Sequence, residues 1–182
     1  MFGCGNKRSA DSNARHASRA DYCRVFQEDM RPLYLLSFLL TASHAKAEQC
    51  YLESFDNAVE GHFVFKEWAC SWSKRTLIQT AIDLVFSDRV QSEVRDAWDE
   101  SAVGVVINIV AQLAPLERFV FVMSVLERYS DHDCSRMLNC TVQDVRDARV
   151  QALRSLGSVD PGLQIPLSCN EWNVKLSGVE CA

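Results

Sequence analysis

The chain has 182 residues and a mass of 20.5 kDa, with 48% hydrophobic and 24% charged residues, a formal charge of −5 and a pI near 5.4. Enough apolar side chain is present to offset the entropy of ordering it, which excludes a chain disordered throughout. Seven Gly and four Pro are too few for a collagen-like chain. The apolar stretches around Leu33–Leu40 and Ala102–Val110 fall short of the roughly 20 residues of a membrane span, and the acidic balance argues against a generic nucleic-acid coat protein.

Residues 1–20 are small, polar and basic, with Lys7, Arg8, Arg15 and Arg19 against Asp11, and are expected to form a flexible basic arm. They contain no apolar secretory core, so a cytoplasmic protein is expected. In that compartment the eight cysteines, Cys4, Cys23, Cys50, Cys70, Cys134, Cys140, Cys169 and Cys181, read as reduced thiols, mostly buried as small hydrophobes. None forms C-x-x-C, and His132 with Cys134 lacks a third ligand at suitable spacing, so no metal site is expected.

Ser18 or Asp21 can cap a first helix. Apolar positions from Tyr22 to Leu40 support that helix, with Pro32 as its break or kink. Thr41 or Ser43 can cap a second helix, from Ala45 to about Val59, which Gly61 ends. A third runs from about Phe65 to Phe86. Phe65, Trp68, Trp72, Ile78, Ala81, Ile82 and Val85 form its apolar stripe, so Trp68 and Trp72 are expected in the core, while Lys66, Lys74 and Arg75 lie off it. Residues 87–112 comprise an acidic linker and a lead-in helix. The run Ala102–Val110 has strand propensity but no partner strand, and it precedes a helix from Leu113 to Glu127 with Pro115 in its first turn.

Two short segments follow, Asp131 to Leu138 and Val142 to Leu156, joined by Asn139-Cys140-Thr141. They have the size of a helix-turn-helix. Asn139 suits a left-handed turn position, Thr141 caps the second helix, and Leu138, Val142 and Val145 lock the pair together. Gln143, Arg146 and Arg149 then project where a major-groove reader needs them. A plain helical hairpin in a core is the alternative for this segment. Residues 157–182 read as an irregular tail.

The order of these segments resembles the bacterial RNA polymerase sigma factors of the extracytoplasmic-function type. Leu113-Ala114-Pro115-Leu116-Glu117-Arg118-Phe119-Val120-Phe121 looks like that family's Leu-Pro-Pro-x-x-Arg-x-Val-Phe at the start of its fourth region. Ser130 to Ala152 aligns without a gap to the pattern that follows, through Ser130, Leu138, Cys140, Thr141, Val142, Val145, Arg146 and Ala152. Upstream, Leu33-Tyr34, Leu39-Leu40-Thr41, Ala47-Glu48, Glu53-Ser54-Phe55, Phe65-x-x-Trp68 and Ile82-Asp83 are similar to its second region. The likeness spans about residues 25–156. Where the family has Asp-Leu-Val-Gln the chain has Gln49-Cys50-Tyr51-Leu52. Its segment between Phe55 and Phe65 is shorter, and Asp144, Asp147, Ala148 and Gln151 stand in place of polar or basic residues.

The resemblance implies an all-α protein of two small helical bundles, residues 21–86 and 113–156, the second ending in a helix-turn-helix. It implies a transcription-initiation protein that binds core RNA polymerase and double-stranded promoter DNA, with an anti-sigma protein as a further partner. The expected DNA contacts are Thr141, Gln143, Arg146 and Arg149 in the second bundle and Lys66, Lys74 and Arg75 in the first. Leu52, Glu53 and Phe55 are the expected polymerase contacts. Asp144 and Asp147 would repel phosphate. Arg118, Arg128 and Arg136 read as ordinary surface charges. His16, His44 and His62 read as isolated and exposed, and Glu48, Glu53, Asp56 and Glu60 as a solvated face. No Gly-rich phosphate loop, Gly-x-Ser-x-Gly or His-Glu-x-x-His occurs, so no enzyme, cofactor or catalytic residue is expected. The alternatives are a sigma-like protein that works by binding another protein, and a stand-alone helix-turn-helix regulator.

Overall fold

A computed structural model describes residues 15–61, 64–87, 96–98 and 102–157. The described residues are mostly helical and contain no strand, only an isolated bridge between His16 and Phe65. The fold class is all-α. Helix α1 (Arg19–Glu28) begins at a capping box in which the Ser18 hydroxyl accepts the Asp21 N–H and the Asp21 carboxylate accepts the Ser18 N–H. The expected break at Pro32 falls instead at Asp29. Pro32 sits in the first turn of α2 (Met30–Thr41), where its missing N–H has no intrahelical partner to lose.

The described end of the expected arm touches the body of the fold. The Ala17 N–H donates to the Val64 carbonyl at 2.7 Å, and the His16 ring stacks on Phe65 at 5.1 Å. His16 is therefore not isolated. Residues 1–14 lie outside the described residues, as do His62, Phe63 and the tail from 158.

Helix α2 is apolar almost all round, with Leu33 and every residue from Leu35 to Thr41 buried. Such a helix belongs at the centre of a core. It packs against α3 (His44–Glu60), α4 (Ala69–Ser87), α5 (Ala102–Gln112) and α6 (Pro115–Phe121). Its buried hydroxyls fold back on their own helix: Ser37 donates to the Leu33 carbonyl at 3.0 Å and Thr41 to Ser37 at 2.8 Å. Neither is left unpaired in the core.

Ser43 holds the N-cap position of α3, one of the two expected, but neither its side chain nor that of Thr41 bonds a first-turn N–H. The cap comes from 52 residues away, where the Asp96 carboxylate accepts the His44 N–H at 2.6 Å. The Asp96 N–H in turn donates to the Ala42 carbonyl at 3.1 Å. Trp98 packs on Phe38 at 4.7 Å and stacks on His44 at 5.4 Å between ring centroids, and its N–H donates to the Asn108 side chain. Residues 96–98 of the expected linker are thus fastened to the α2–α3 corner, and His44 is a member of an aromatic cluster. At the other end of α3, Gly61 approaches Asn57 closely: a Cβ there would lie 2.9 Å from the Asn57 carbonyl oxygen.

Trp68 is not a core residue. Residues Lys66–Trp68 form a single 3₁₀ turn before α4, and the tighter winding takes Trp68 off the helical stripe. It is 62% exposed, and Phe65 is 42% exposed. Trp72, also expected in the core, is half-buried and packs against it. The buried face of α4 is carried by Ala69, Ser73, Leu77, Ile78, Thr80, Ala81 and Ile82.

Helix α5 forms at the ambiguous apolar run, and Pro115 opens α6 as expected. A π-turn over Val122–Leu126 leads to α7 (Asp131–Leu138) and α8 (Val142–Gly157). One buried cluster runs through both groups of helices, from Phe38 and Leu77 to Ile107, Phe119 and Met123.

Arg118 is not a surface charge. It is fully buried. Its Nε donates to the Leu40 carbonyl at 3.0 Å, and its Nη1 donates to the Ala111 and Leu113 carbonyls at 3.3 and 3.2 Å. Leu40 and Ala111 lie in the last turns of α2 and α5, where carbonyls lack intrahelical donors and the helix dipole is negative. A planar guanidinium supplies both the charge and the fork of donors that this junction needs.

Candidate nucleic-acid interface

The helical pair α7–α8 is built by two caps and one turn. The Ser130 hydroxyl accepts the Asp133 N–H at 3.1 Å, which starts α7. Asn139 ends it in the left-handed conformation, with φ 50° and ψ 47°. Thr141 then opens α8 with a capping box. Its hydroxyl accepts the Asp144 N–H at 3.1 Å, and its own N–H donates to the Asp144 carboxylate at 2.9 Å. Val145, Ala148, Ala152 and Leu156 form the buried stripe of α8, which packs against α6 and α7. Val145 is fully buried, while Leu138 and Val142 are not: Leu138 is half-buried and so is Cys140 in the turn, and Val142 lies half-buried at the start of α8.

The opposite face of α8 presents Thr141, Gln143, Asp144, Arg146 and Asp147, all exposed, with Arg149 half-buried beside them. The structure brings all four expected reading residues together, each already bonded to a carboxylate. The Thr141 hydroxyl donates to Asp144 at 2.6 Å, and the Gln143 amide donates to Asp147 at 3.0 Å. Both arginines reach back to Asp131 in the first turn of α7. Arg149 is bidentate, at 2.7 and 3.4 Å to the two carboxylate oxygens, and the Arg146 Nε lies 3.3 Å from Oδ2. The Arg149 guanidinium, then Arg146, hold the Asp131 carboxyl below its ordinary value. The Thr141 hydroxyl does the same for Asp144. Asp144 is therefore a capping residue of α8, a role the repulsion argument alone did not assign it.

The three cations expected in the first group have separate settings. Lys66 lies 3.5 Å from Asp21. Lys74 pairs with Glu127 at 3.0 Å, tying α4 to the segment after the π-turn. Arg75 is exposed and lines an open groove of about 380 Å³ with Phe65, Trp68, Ser71 and Trp72. Of the expected polymerase contacts, Leu52 is 57% exposed. Glu53 is exposed and accepts the Gln49 amide at 2.8 Å. Phe55 faces inward, edge-on to Phe26 at 5.3 Å with the Arg19 guanidinium 5.7 Å over its ring.

Three residues that hold the site and its scaffold in place were missed by sequence reasoning. Asp131 has no local signal, because the pattern Ser130-x-x-Asp133 draws attention to the cap and its partners lie 15 and 18 residues away. Asp96 acts across an even longer separation. Arg118 did have a signal: it is the lone cation of the run Leu116–Met123, whose other residues apart from Glu117 are apolar.

Among the described residues no group of three His, Cys, Asp or Glu is placed to hold a metal ion, and no helix is long and apolar enough to cross a membrane. Comparison with protein-family models, with curated proteins and with solved structures found no match.

Proposed function

We propose that the chain is a sigma-factor-like transcription-initiation protein. In this reading α7 and α8 are a helix-turn-helix that recognises double-stranded promoter DNA, and the exposed side of α3 at Leu52 and Glu53 contacts core RNA polymerase. The observation that carries the reading is the α7–turn–α8 geometry. A left-handed Asn139, a Thr141 capping box and a buried Val145 leave one side of α8 exposed, and that side carries Gln143 and Arg146, with Arg149 half-buried at its edge against α7. A helix presented this way has the form that enters a major groove. The reading treats residues 21–86 and 113–156 as two helical units, which pack here through Arg118, through Lys74–Glu127 and through Phe86 on Phe119 at 5.3 Å. Phe55 belongs to the packing of the first unit, so polymerase contact rests on Leu52 and Glu53.

The carboxylates of the α8 face make DNA binding by the isolated protein weak, because the phosphate term dominates affinity. Polymerase supplies the rest by tethering, which raises the effective concentration of α8 at the promoter. Selection from a random duplex library with core polymerase tests this. The expected result is an enriched sequence whose preferences change when Gln143 or Arg146 is replaced by Ala. An unenriched pool, or a consensus indifferent to both replacements, overturns the assignment of α8 as reader.

A further inference from the structure

We propose that Asp131 is an intramolecular stand-in for a DNA backbone phosphate, and that Arg146 and Arg149 engage DNA by exchanging this carboxylate for phosphate. The inference rests on the reading of α7–α8 as a DNA-binding pair and assigns a controlling residue within it.

Asp131 accepts three N–H groups from two arginines, one from Arg146 and two from Arg149. Bidentate guanidinium–carboxylate geometry is the same fork that guanidinium offers to phosphate. The carboxylate sits in the first turn of α7, where the helix dipole favours an anion, so its negative charge is supported from two directions. The arrangement leaves a net charge of +1 on the three side chains where two free arginines would carry +2.

Two further acids lie on the exposed side of α8: Asp144 holds its start and Asp147 holds the Gln143 amide. A phosphate approaching the arginines finds the Arg149 fork and the Arg146 Nε–H already engaged by Asp131, and takes those donors only as the Asp131 bonds open. Both pairs are partly exposed, with Arg146 side-chain exposure 59%, Arg149 29% and Asp131 24%. Exchange in water is accordingly easy, comparable to opening an exposed ion pair. Asp131 tunes affinity and does not abolish it.

The competing role for Asp131 is positioning: a carboxylate that aims both arginines at the groove and stays in place. The two roles predict opposite signs for Asp131→Asn. The experiment is fluorescence anisotropy of a labelled random-sequence duplex across a salt series, with wild type, Asp131→Asn, Asp131→Ser and the double variant Arg146→Ala/Arg149→Ala. The stand-in role predicts about five-fold tighter binding at low salt for both Asp131 variants, the equivalent of one exposed pair. The salt slope should stay near the wild-type value, because the same two arginines neutralise the same phosphates once bound. Weaker or unchanged binding overturns it. Circular dichroism of both variants checks that α7 is intact, its N-cap Ser130 being unchanged. If wild-type binding depends on the two arginines and the Asp131 variants bind no better, the stand-in role falls and the reading of α8 survives. If removing both arginines changes nothing, the reading of α8 falls as well.

Discussion

Replacing Arg118 with Met tests the account of the junction between the helices. The substitution keeps an unbranched apolar stem and deletes the donors that reach Leu40, Ala111 and Leu113. Three acceptors in a fully buried site then lose their partner. A buried polar group without a partner costs about 1–3 kcal/mol, and three carbonyls lose theirs here. We expect Arg118→Met to destabilise the fold by about 3–5 kcal/mol, in the lower part of that sum and a large part of the roughly 5–15 kcal/mol typical of a domain. For a urea m-value of about 2.5 kcal/mol/M the midpoint falls by about 1–2 M. Arg118→Lys keeps the charge but cannot fork to three carbonyls, so its midpoint lies between the other two. Urea unfolding followed by far-ultraviolet circular dichroism and by tryptophan fluorescence reads all three. A Met variant within about 1 kcal/mol of wild type at an unchanged m-value, inside the range of ordinary substitutions, refutes the argument that Arg118 closes two helix ends.

Asp96→Ala should destabilise the fold by about 1 kcal/mol through loss of the α3 cap, whereas Ser43→Ala should cost less than about 0.5 kcal/mol; equal effects in thermal melts would contradict the capping assignment. Trp68→Ala should cost under about 0.5 kcal/mol because the ring is exposed, while Phe38→Ala should cost about 3–5 kcal/mol; a large Trp68 effect in urea titrations would return that ring to the core. Asp21, Asp131, Asp133 and Asp144 are held below the usual carboxylate value, chiefly by hydrogen bonds from Ser18, Arg149, Ser130 and Thr141 respectively. Depressed folded values stabilise the fold above the unfolded pKa of about 3.9 and lose that contribution as pH falls through the folded values. Acid unfolding should therefore set in below about pH 4 and be shallower in Asp21→Asn; an identical profile would remove Ser18–Asp21 from the balance.

Local rules made much of this fold legible in the sequence. Ser18 and Thr141 cap the helices they precede, Asn139 takes the left-handed turn, and Pro115 opens α6. Each acts within a few residues of its partner, so spacing and residue type suffice. The 3₁₀ turn at Lys66–Trp68 defeated the helical period, because its tighter winding rotates Trp68 out of register with α4. Long-range satisfaction of helix ends was also hidden. Asp96 caps α3 across 52 residues, and Arg118 closes α2 across 78. Local pattern does not reveal which distant side chain meets an unpaired carbonyl or N–H. The candidate site divides the same way: the α8 face followed from periodicity, while the pairing of its arginines with Asp131 depended on how α7 packs beside it.

Binding to core RNA polymerase is the most direct measure of the central claim. Purified protein mixed with bacterial core enzyme at micromolar concentration, then passed through size exclusion, should co-elute as a one-to-one complex. Leu52→Glu should abolish the co-elution without altering the circular dichroism spectrum, because Leu52 is exposed on α3. Separate elution of the folded wild-type protein from the core enzyme would contradict the sigma-factor reading.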